Sequence, residues 1–364
     1  MAFELCGLSN SEISRYSRQL IIPEFGPSKQ LKLGASRVLV VGCGGLGCPA
    51  AVYLAAAGVT NLTLVDDDVV EINNLHRQVM HSENNVGRPK VESLAEKLKS
   101  VNSTVRVVTK NVHLTNENAC EIISDHDVVL DCTDNLATRY LLNDACAACG
   151  PIPLVSGSAL RFDGQMTVYL THRVPERDAP ESEAKRRKMV DNDRIPCFRC
   201  IHPTPPPAVQ ACSDAGVLGV VPGIIGTLQA AEVIKILSGI GESMAGRLFM
   251  VDMERNSMRS VKLRQARPDC GTCNPANRIT PEQVRKTDYV IFCGSPSNDA
   301  PRAANMQMSD SRISVQELKE MRDLKKPHLL IDIRPAVEVE ICRLTDCLCK
   351  SNRRRPRYIY LRCS

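Results

Sequence analysis

Short apolar runs alternate with longer helical patterns through the first half of the chain. Ser36 to Val41 (SRVLVV) holds a short apolar run that ends at Gly42, the pattern of a buried parallel strand entering a tight turn. An alanine-rich helix follows. Asn61 to Val65 (NLTLV) predicts a second strand, Val105 to Thr109 a third and Asp127 to Asp131 a fourth, with a helix over Lys90 to Lys99 among the segments between them. Strands alternating with helices predict an α/β fold with a doubly wound, mainly parallel sheet. Past Gly150, the runs Pro153 to Ser156, Gln165 to Leu170, Arg247 to Val251 and Ser257 to Leu263 predict more strands, some close enough to pair as antiparallel hairpins. Between them lie a cysteine-bearing loop, Pro196 to Ala215, and a helix over Ile224 to Leu237 that Gly239 ends.

Two segments depart from this plan. Arg173 to Arg194 is dominated by charge and nearly devoid of apolar residues, so it reads as a solvated insertion. Residues 276–310 read as a linker that includes a small apolar patch at Tyr289 to Cys293. Beyond it, Ile313 to Leu318 resembles a helix start and Pro327 to Arg334 (PHLLIDIR) a strand, the opening of a second α/β domain over residues 311–364. A stretch of that length falls short of the usual ~100 to 150 residues of a domain and is not expected to pack a core. The last residues (CLCKSNRRRPRYIYLRCS) predict no strand of such a domain.

Composition narrows the class. The 364 residues carry 46 Lys and Arg against 41 Asp and Glu, and part of the +5 excess sits in the basic last fifteen positions, so the body gives no argument for nucleic acid. The amino terminus lacks the basic and apolar regions of a secretory signal. The greasiest stretch, Val217 to Ala231, is interrupted by Pro222, Gly223, Gly226 and Gln229 and is expected to fall short of the ~18 residues of a membrane span. A soluble, cytoplasmic protein is expected, and its 17 cysteines then suggest metal ligation, free thiols or catalysis rather than a disulfide framework.

Chemistry begins at Gly42-Cys43-Gly44-Gly45-Leu46-Gly47, a glycine turn between strand and helix. Its backbone can approach a phosphate, and the helix amino terminus offers unpaired N–H groups. Asp66, at the end of the second strand, is placed to hold ribose hydroxyls. This pair of features alone fits a nicotinamide-dependent oxidoreductase as well. Asn73-Asn74-Leu75-His76-Arg77-Gln78 and Gly87-Arg88-Pro89-Lys90 add two cations and an amide. Hydride transfer has no use for so much positive charge, whereas a triphosphate does, because cations stabilise the pyrophosphate leaving group. Asp134 and Asn135 follow the fourth strand at the edge of the sheet where ligands bind, and Asp134 suits Mg²⁺. Cys197-x-x-Cys200 and Cys270-x-x-Cys273 offer four thiolates to a closed, structural zinc site. Cys43, Cys132, Cys146 and Cys149 sit in apolar or helical settings and read as packing residues.

Arg15-Tyr16-Ser17-Arg18-Gln19, VGCGGLG, NNLHRQ, VGRPKVES, DCTDN, LVSGSALRFDGQ and the two CxxC pairs together resemble the family of ubiquitin-activating-like enzymes that includes MoeB and ThiF. The match runs over roughly residues 8–275. Within that family the chain looks most like the eukaryotic members that combine adenylyl transfer with a rhodanese-like sulfurtransferase domain, in molybdenum-cofactor synthesis and tRNA thiolation. The resemblance implies an adenylyltransferase domain over residues 1–275. ATP is expected at Gly45, Asp66, Asn73, Asn74, Leu75, His76, Arg77, Lys90, Asp134 and Asn135, with Mg²⁺, and zinc at the four cysteines.

It further implies a homodimer in which Arg18 reaches the partner's nucleotide, and a ubiquitin-like sulfur-carrier protein ending in Gly-Gly as substrate. Cys212 falls in the loop that crosses over the adenylate in this family, where a thiolate can attack the activated acyl group; a small buried residue is the other reading. Arg77, Lys90, Asp134, Cys212 and Arg18 are the candidate catalytic residues. Cys342, Cys347, Cys349 and Cys363 are poor candidates for a persulfide cysteine, so sulfur transfer in cis is expected to be lost and a separate donor to supply it. A non-catalytic scaffold that binds a ubiquitin-like protein is the alternative from another class.

Overall fold

The computed structural model describes residues 7–170, 194–206, 216–294, 313–334, 336–344, 347–349 and 359–361. The chain divides into two compact units, Met1–Ala300 and Pro301–Ser364. In the first, α1 (Asn10–Leu20) and α2 (Gly26–Ala35) precede β1 (Arg37–Val41), α3 (Gly47–Ala57) and β2 (Asn61–Val65). Then come α4 (Lys90–Val101), β3 (Arg106–Lys110), α5 (Ala119–Ile123), β4 (Val128–Asp131) and α6 (Leu136–Ala148). β5 (Leu154–Leu160), β6 (Asp163–Tyr169), the single turn α7 (Phe198–Ile201) and the long α8 (Val220–Ser238) follow. The unit closes with β7 (Arg247–Asp252), β8 (Ser257–Lys262), α9 (Pro281–Lys286) and α10 (Tyr289–Cys293).

Eight strands form one sheet in the order β3-β2-β1-β4-β5-β6-β7-β8. The first five are parallel and the β5–β6, β6–β7 and β7–β8 pairs antiparallel. This is the doubly wound, mainly parallel α/β architecture with antiparallel C-terminal strands. The inner parallel strands β1, β2 and β4 have both faces covered, as their near-continuous apolar sequences require, whereas the edge strand β3 is largely exposed. Along β1, Val38 and Val40 enter one hydrophobic core while Leu39 and Val41 enter the other, which is the period of two that a strand imposes. The first core lies against α3, α4 and α8, the second against α5, α6 and the CxxC segment.

α8 departs from expectation. It has 19 residues and is long and apolar enough to cross a membrane by length and composition, contrary to the reading of that stretch as too short. In this fold it is a core helix: Val221, Ile225 and Val233 are fully buried against the sheet and α3. Pro222 is tolerated because it stands in the first helical turn, where its missing N–H has no partner to lose. The stretch read as a linker carries α9 and α10. Tyr289 of α10 is buried, and its hydroxyl donates to Asp144 of α6 at 3.0 Å.

The second unit contains α11 (Val315–Asp323), β9 (Leu330–Asp332), α12 (Ala336–Ile341), β10 (Leu348–Cys349) and β11 (Ile359–Leu361). Its strands form a parallel sheet in the order β10-β9-β11. Among the described residues, Leu318, Leu330 and Val339 are its buried apolar side chains. The tail, expected to supply no strand, pairs Ile359–Leu361 with β9. The charged insertion over residues 173–193 lies outside the described residues.

Candidate functional site

β1 has β2 on one side and β4 on the other, so the connections from β1 and β4 diverge and leave a crevice at the carboxyl ends of the strands. Gly42 turns the chain there with φ +93°, and a Cβ on it would stand 2.6 Å from the Cys132 carbonyl oxygen of the loop after β4. A Cβ on Gly47 would be 1.9 Å from the oxygen of Gly42. Both positions exclude a side chain, which is why the turn after β1 needs glycine at its two ends.

Asp66, at the end of β2, is tied to this turn. Its Oδ2 accepts the Cys43 N–H at 2.6 Å and its Oδ1 the Asp68 N–H at 2.9 Å. Expected as a ribose ligand, it therefore first serves as an acceptor for backbone, with one lone pair on each oxygen left for a ligand. Burial pushes its carboxyl up from the usual range, against the opposing pull of Lys90. Lys90 opens α4 with its side chain buried and Nζ 2.6 Å from Asp68 Oδ2. Burial works against its charge, yet Asp66 and Asp68 more than offset this and hold the ammonium above the usual lysine range.

The NNLHRQ segment folds on itself. Asn74 is buried, and its Oδ1 accepts from Arg77 Nη2 at 2.9 Å and Gln78 Nε2 at 3.0 Å, while its Nδ2 donates to Asn73 Oδ1 at 2.8 Å. Arg77 Nη1 also donates to the Asn73 carbonyl at 3.3 Å, and the His76 ring Nδ1 lies 2.9 Å from the same oxygen. Leu75 is half-buried. The segment is held between the glycine turn and the start of α8. A Cβ on Gly219 would meet the His76 carbonyl at 2.2 Å, and one on Gly45 would meet Pro222 at 3.1 Å. Gln78, beside Gly44, has a buried Oε1 with no hydrogen-bond partner.

After β4 the two predicted ligands separate. Asp134 is exposed and has no hydrogen-bond or ion-pair partner among the described residues. Asn135 caps α6, its Oδ1 accepting from Ala137 N at 2.8 Å and Thr138 N at 3.3 Å, so only its amide N–H₂ faces elsewhere. Arg18 is not brought to the crevice of its own chain. α1 docks on the far ends of α3 and α4, where Gln19 donates to the Ala57 carbonyl at 2.8 Å and Arg15 to Val101 at 3.1 Å.

Sequence reasoning missed His81. It is buried under the glycine turn, with Nε2 3.0 Å from the Cys43 carbonyl and Nδ1 2.8 Å from the Ser93 hydroxyl. A histidine three residues past the NNLHRQ run, outside any spacing motif, gave no signal in one dimension.

Cys197, Cys200, Cys270 and Cys273 converge with their sulfurs within 4.8 Å of one another. The separations are 3.8 Å for 197–200, 3.7 Å for 197–270 and 3.5 Å for 200–273. Tetrahedral zinc with ~2.3 Å Zn–S bonds spaces its sulfurs about 3.8 Å apart, so the four thiols fit that ion. Arg199, inside the first pair, forks onto the fully buried Asp144 with Nε and Nη2 2.8–2.9 Å from its oxygens. Its guanidinium also stacks 4.4 Å from the Phe292 ring centroid. Cys43, Cys132 and Cys146 are buried with their thiols pushed well up by desolvation, the state of a packing residue. Cys149 is half-buried, its thiol 3.5 Å from the Cys120 carbonyl. Cys212 lies outside the described residues.

A doubly wound sheet with a glycine turn at its switch point, a buried lysine and an unpaired aspartate at the next strand end defines a nucleotide-fold protein with an appended four-cysteine knuckle. The sequence profile of the ThiF family matches residues 16–272, and the chain belongs to that family. It is 47% identical over 340 residues to "Adenylyltransferase and sulfurtransferase MOCS3" of Xenopus laevis, covering 93% of this chain and 69% of that protein. The Bos taurus protein of the same name is 48% identical, with 94% and 70% covered. Among solved structures, Escherichia coli MccB with MccA-N7isoASN superposes with TM-score 0.59 at 21% identity, covering 74% of this chain and 76% of that one. MccB with ATP gives TM-score 0.56 at 22% identity, with 73% and 75% covered. At that identity the likeness speaks for the fold.

Proposed function

We propose that this chain uses ATP to adenylylate the C-terminal glycine carboxylate of a ubiquitin-like sulfur-carrier protein. The observation that carries the reading is the crevice between β1 and β4 that the glycine turn opens, with the buried Lys90 beside Asp66 and Asp68 after β2 and the exposed Asp134 after β4. The high identity to proteins named adenylyltransferase and sulfurtransferase supports it. The carrier's terminal carboxylate, with a pKa near ~3.5, is ionised at neutral pH and needs no general base. It attacks the α-phosphorus in line, the α–β bridging bond breaks, and pyrophosphate leaves beside Arg77 and Lys90, giving an acyl-adenylate. Asp134 would hold Mg²⁺, which supplies charge to neutralise the polyphosphate. The four cysteines would hold zinc as a structural clamp between the CxxC segment and the end of the sheet.

The carriers in this reading are the small subunit of molybdopterin synthase, the ubiquitin-related modifier, or both. Their thiocarboxylates serve molybdenum-cofactor synthesis and wobble-uridine thiolation of tRNA, and a separate sulfur donor completes the step. Because Arg18 stands on a helix docked away from its own crevice, the reading includes a homodimer in which Arg18 serves the other protomer. The reduced, buried thiols of Cys43, Cys48, Cys132 and Cys146 suit the cytosol. The test is ATP–pyrophosphate exchange with and without a purified carrier ending in Gly-Gly. Exchange that requires the carrier is expected. No exchange from folded, zinc-loaded protein that still binds the carrier would overturn the reading in favour of a scaffold.

A further inference from the structure

The two peptide groups around Cys43 are held from opposite directions. The N–H of Cys43 donates to Asp66 Oδ2 at 2.6 Å. The carbonyl of Cys43 receives His81 Nε2 at 3.0 Å and the Cys48 thiol at 3.3 Å. A carbonyl oxygen only accepts, so Nε2 carries the hydrogen, and in the neutral ring Nδ1 accepts the Ser93 hydroxyl at 2.8 Å. The burial of His81, 6% exposed, favours that neutral ring. Desolvation lowers its pKa, the Cys43 carbonyl opposes this, and the nearby Lys90 charge adds to the lowering.

The consequence follows from peptide geometry. The Cys43–Gly44 peptide is planar and trans, so its carbonyl and the Gly44 N–H point in opposite directions. Pinning the carbonyl inward onto His81 turns the Gly44 N–H outward. Among the described residues, the N–H groups of Gly44, Gly45 and Leu46 have no acceptor, which is the donor array an anion at a helix amino terminus requires. We propose that His81 is a positioning residue of this array, acting through the Cys43 carbonyl to aim the Gly44 N–H at the polyphosphate of ATP. The inference rests on the adenylylation reading. His81 touches no nucleotide in it and is distinct from Asp66, which holds the preceding peptide.

The test is calorimetric titration of the whole zinc-loaded chain with ATP and with adenosine, for wild type, His81→Phe, His81→Gln and His81→Leu. His81→Phe keeps the ring volume and removes the donor. It is expected to weaken ATP about tenfold, the worth of one hydrogen bond to an aligned donor, and to leave adenosine within about twofold. His81→Gln, whose amide can restore the N–H, is expected to return ATP affinity to within about threefold of wild type. Unchanged ATP affinity in folded His81→Phe overturns the proposal, and so does a parallel loss for ATP and adenosine, which would mark general damage to the crevice. Should His81→Phe fail to fold, His81→Leu decides. It also removes the donor, with a smaller side chain, so selective loss of ATP supports the inference and wild-type affinity overturns it. Wild-type protein that binds no ATP is a separate outcome, which sinks the adenylylation reading and this inference with it.

Discussion

Arg139 and Asp131 form a buried ion pair beneath the loop that carries Asp134, with Nε 2.8 Å from Oδ2 and Asp131 wholly buried. The same guanidinium donates to the carbonyls of Thr133 at 3.2 Å and Gly157 at 2.8 Å. The Asp131 carboxylate also accepts the Ser156 and Thr133 hydroxyls, each at 2.7 Å. One salt bridge thus fastens the ends of β4 and β5 and the first turn of α6. Arg139→Ala leaves a carboxylate unpaired where water cannot reach it, so a loss of about 3–5 kcal/mol is expected. Urea unfolding reads it directly, and an unchanged midpoint would show that the pair does not anchor the loop.

Asp134, only three residues further on, should behave in the opposite way. It is exposed and its side chain makes no hydrogen bond or ion pair among the described residues, so Asp134→Ala is expected to shift stability by no more than about 0.5 kcal/mol. Pyrophosphate exchange should nevertheless fall by about 100-fold or more, since the carboxylate that would hold Mg²⁺ against the polyphosphate is lost. Exchange and stability falling together would point to a structural role instead.

The contrast between these two aspartates also marks how far the sequence could be read. β1 and β2 were legible because an apolar run closed by glycine, or by an aspartate, leaves little else for the chain to be. β5 extends past its apolar core to Leu160 because Gly157, Ser158 and Ala159 pair with Met166, Gln165 and Gly164 of β6, a partnership that local composition does not encode. α8 starts at Val220, before its apolar periodicity is established, because its amino terminus is packed against the glycine turn: a Cβ on Gly226 would meet the Leu46 carbonyl at 2.1 Å. The turn, Lys90 and Asp134 each stood at a strand or helix end and could be placed from order alone. His81 could not, because its contact with Cys43 spans 38 positions and belongs to packing rather than to spacing. Asn135 was read from its place after β4 as a nucleotide ligand, and that reading did not include the capping of α6 that its Oδ1 performs.

The four-cysteine knuckle carries a stoichiometric prediction. One zinc per chain is expected by atomic absorption, and Cys270→Ser should abolish its retention on gel filtration, because three thiolates no longer close the site. Arg199→Ala should retain zinc, since Arg199 supplies no ligand, but destabilise the protein by about 3–5 kcal/mol by leaving the buried Asp144 uncompensated. Zinc lost from Arg199→Ala under native conditions would mean that the Asp144 anchor, and not the thiolates alone, sets metal affinity.

The buried His81 makes stability depend on pH in a predictable direction. Its folded pKa is depressed, chiefly by burial, whereas in the unfolded chain it titrates near ~6.5. As pH falls through that value the unfolded state takes up a proton that the folded state refuses, so the folded state loses stability. The loss continues down to the depressed folded value and then levels off. For one such group the slope reaches about 1.4 kcal/mol per pH unit within that window. His126 and His202 are depressed by burial as well and push the same way, and acid release of zinc adds to them. Comparison with His81→Gln isolates the single residue, because the remaining histidines and the thiolates are common to both proteins. Urea midpoints taken between pH 7.5 and 5.5 should fall less steeply for the variant than for wild type. Parallel slopes would mean that His81 is protonated alike in the folded and unfolded chains, and the neutral, Nε2-protonated ring that holds the Cys43 carbonyl would then be the wrong description.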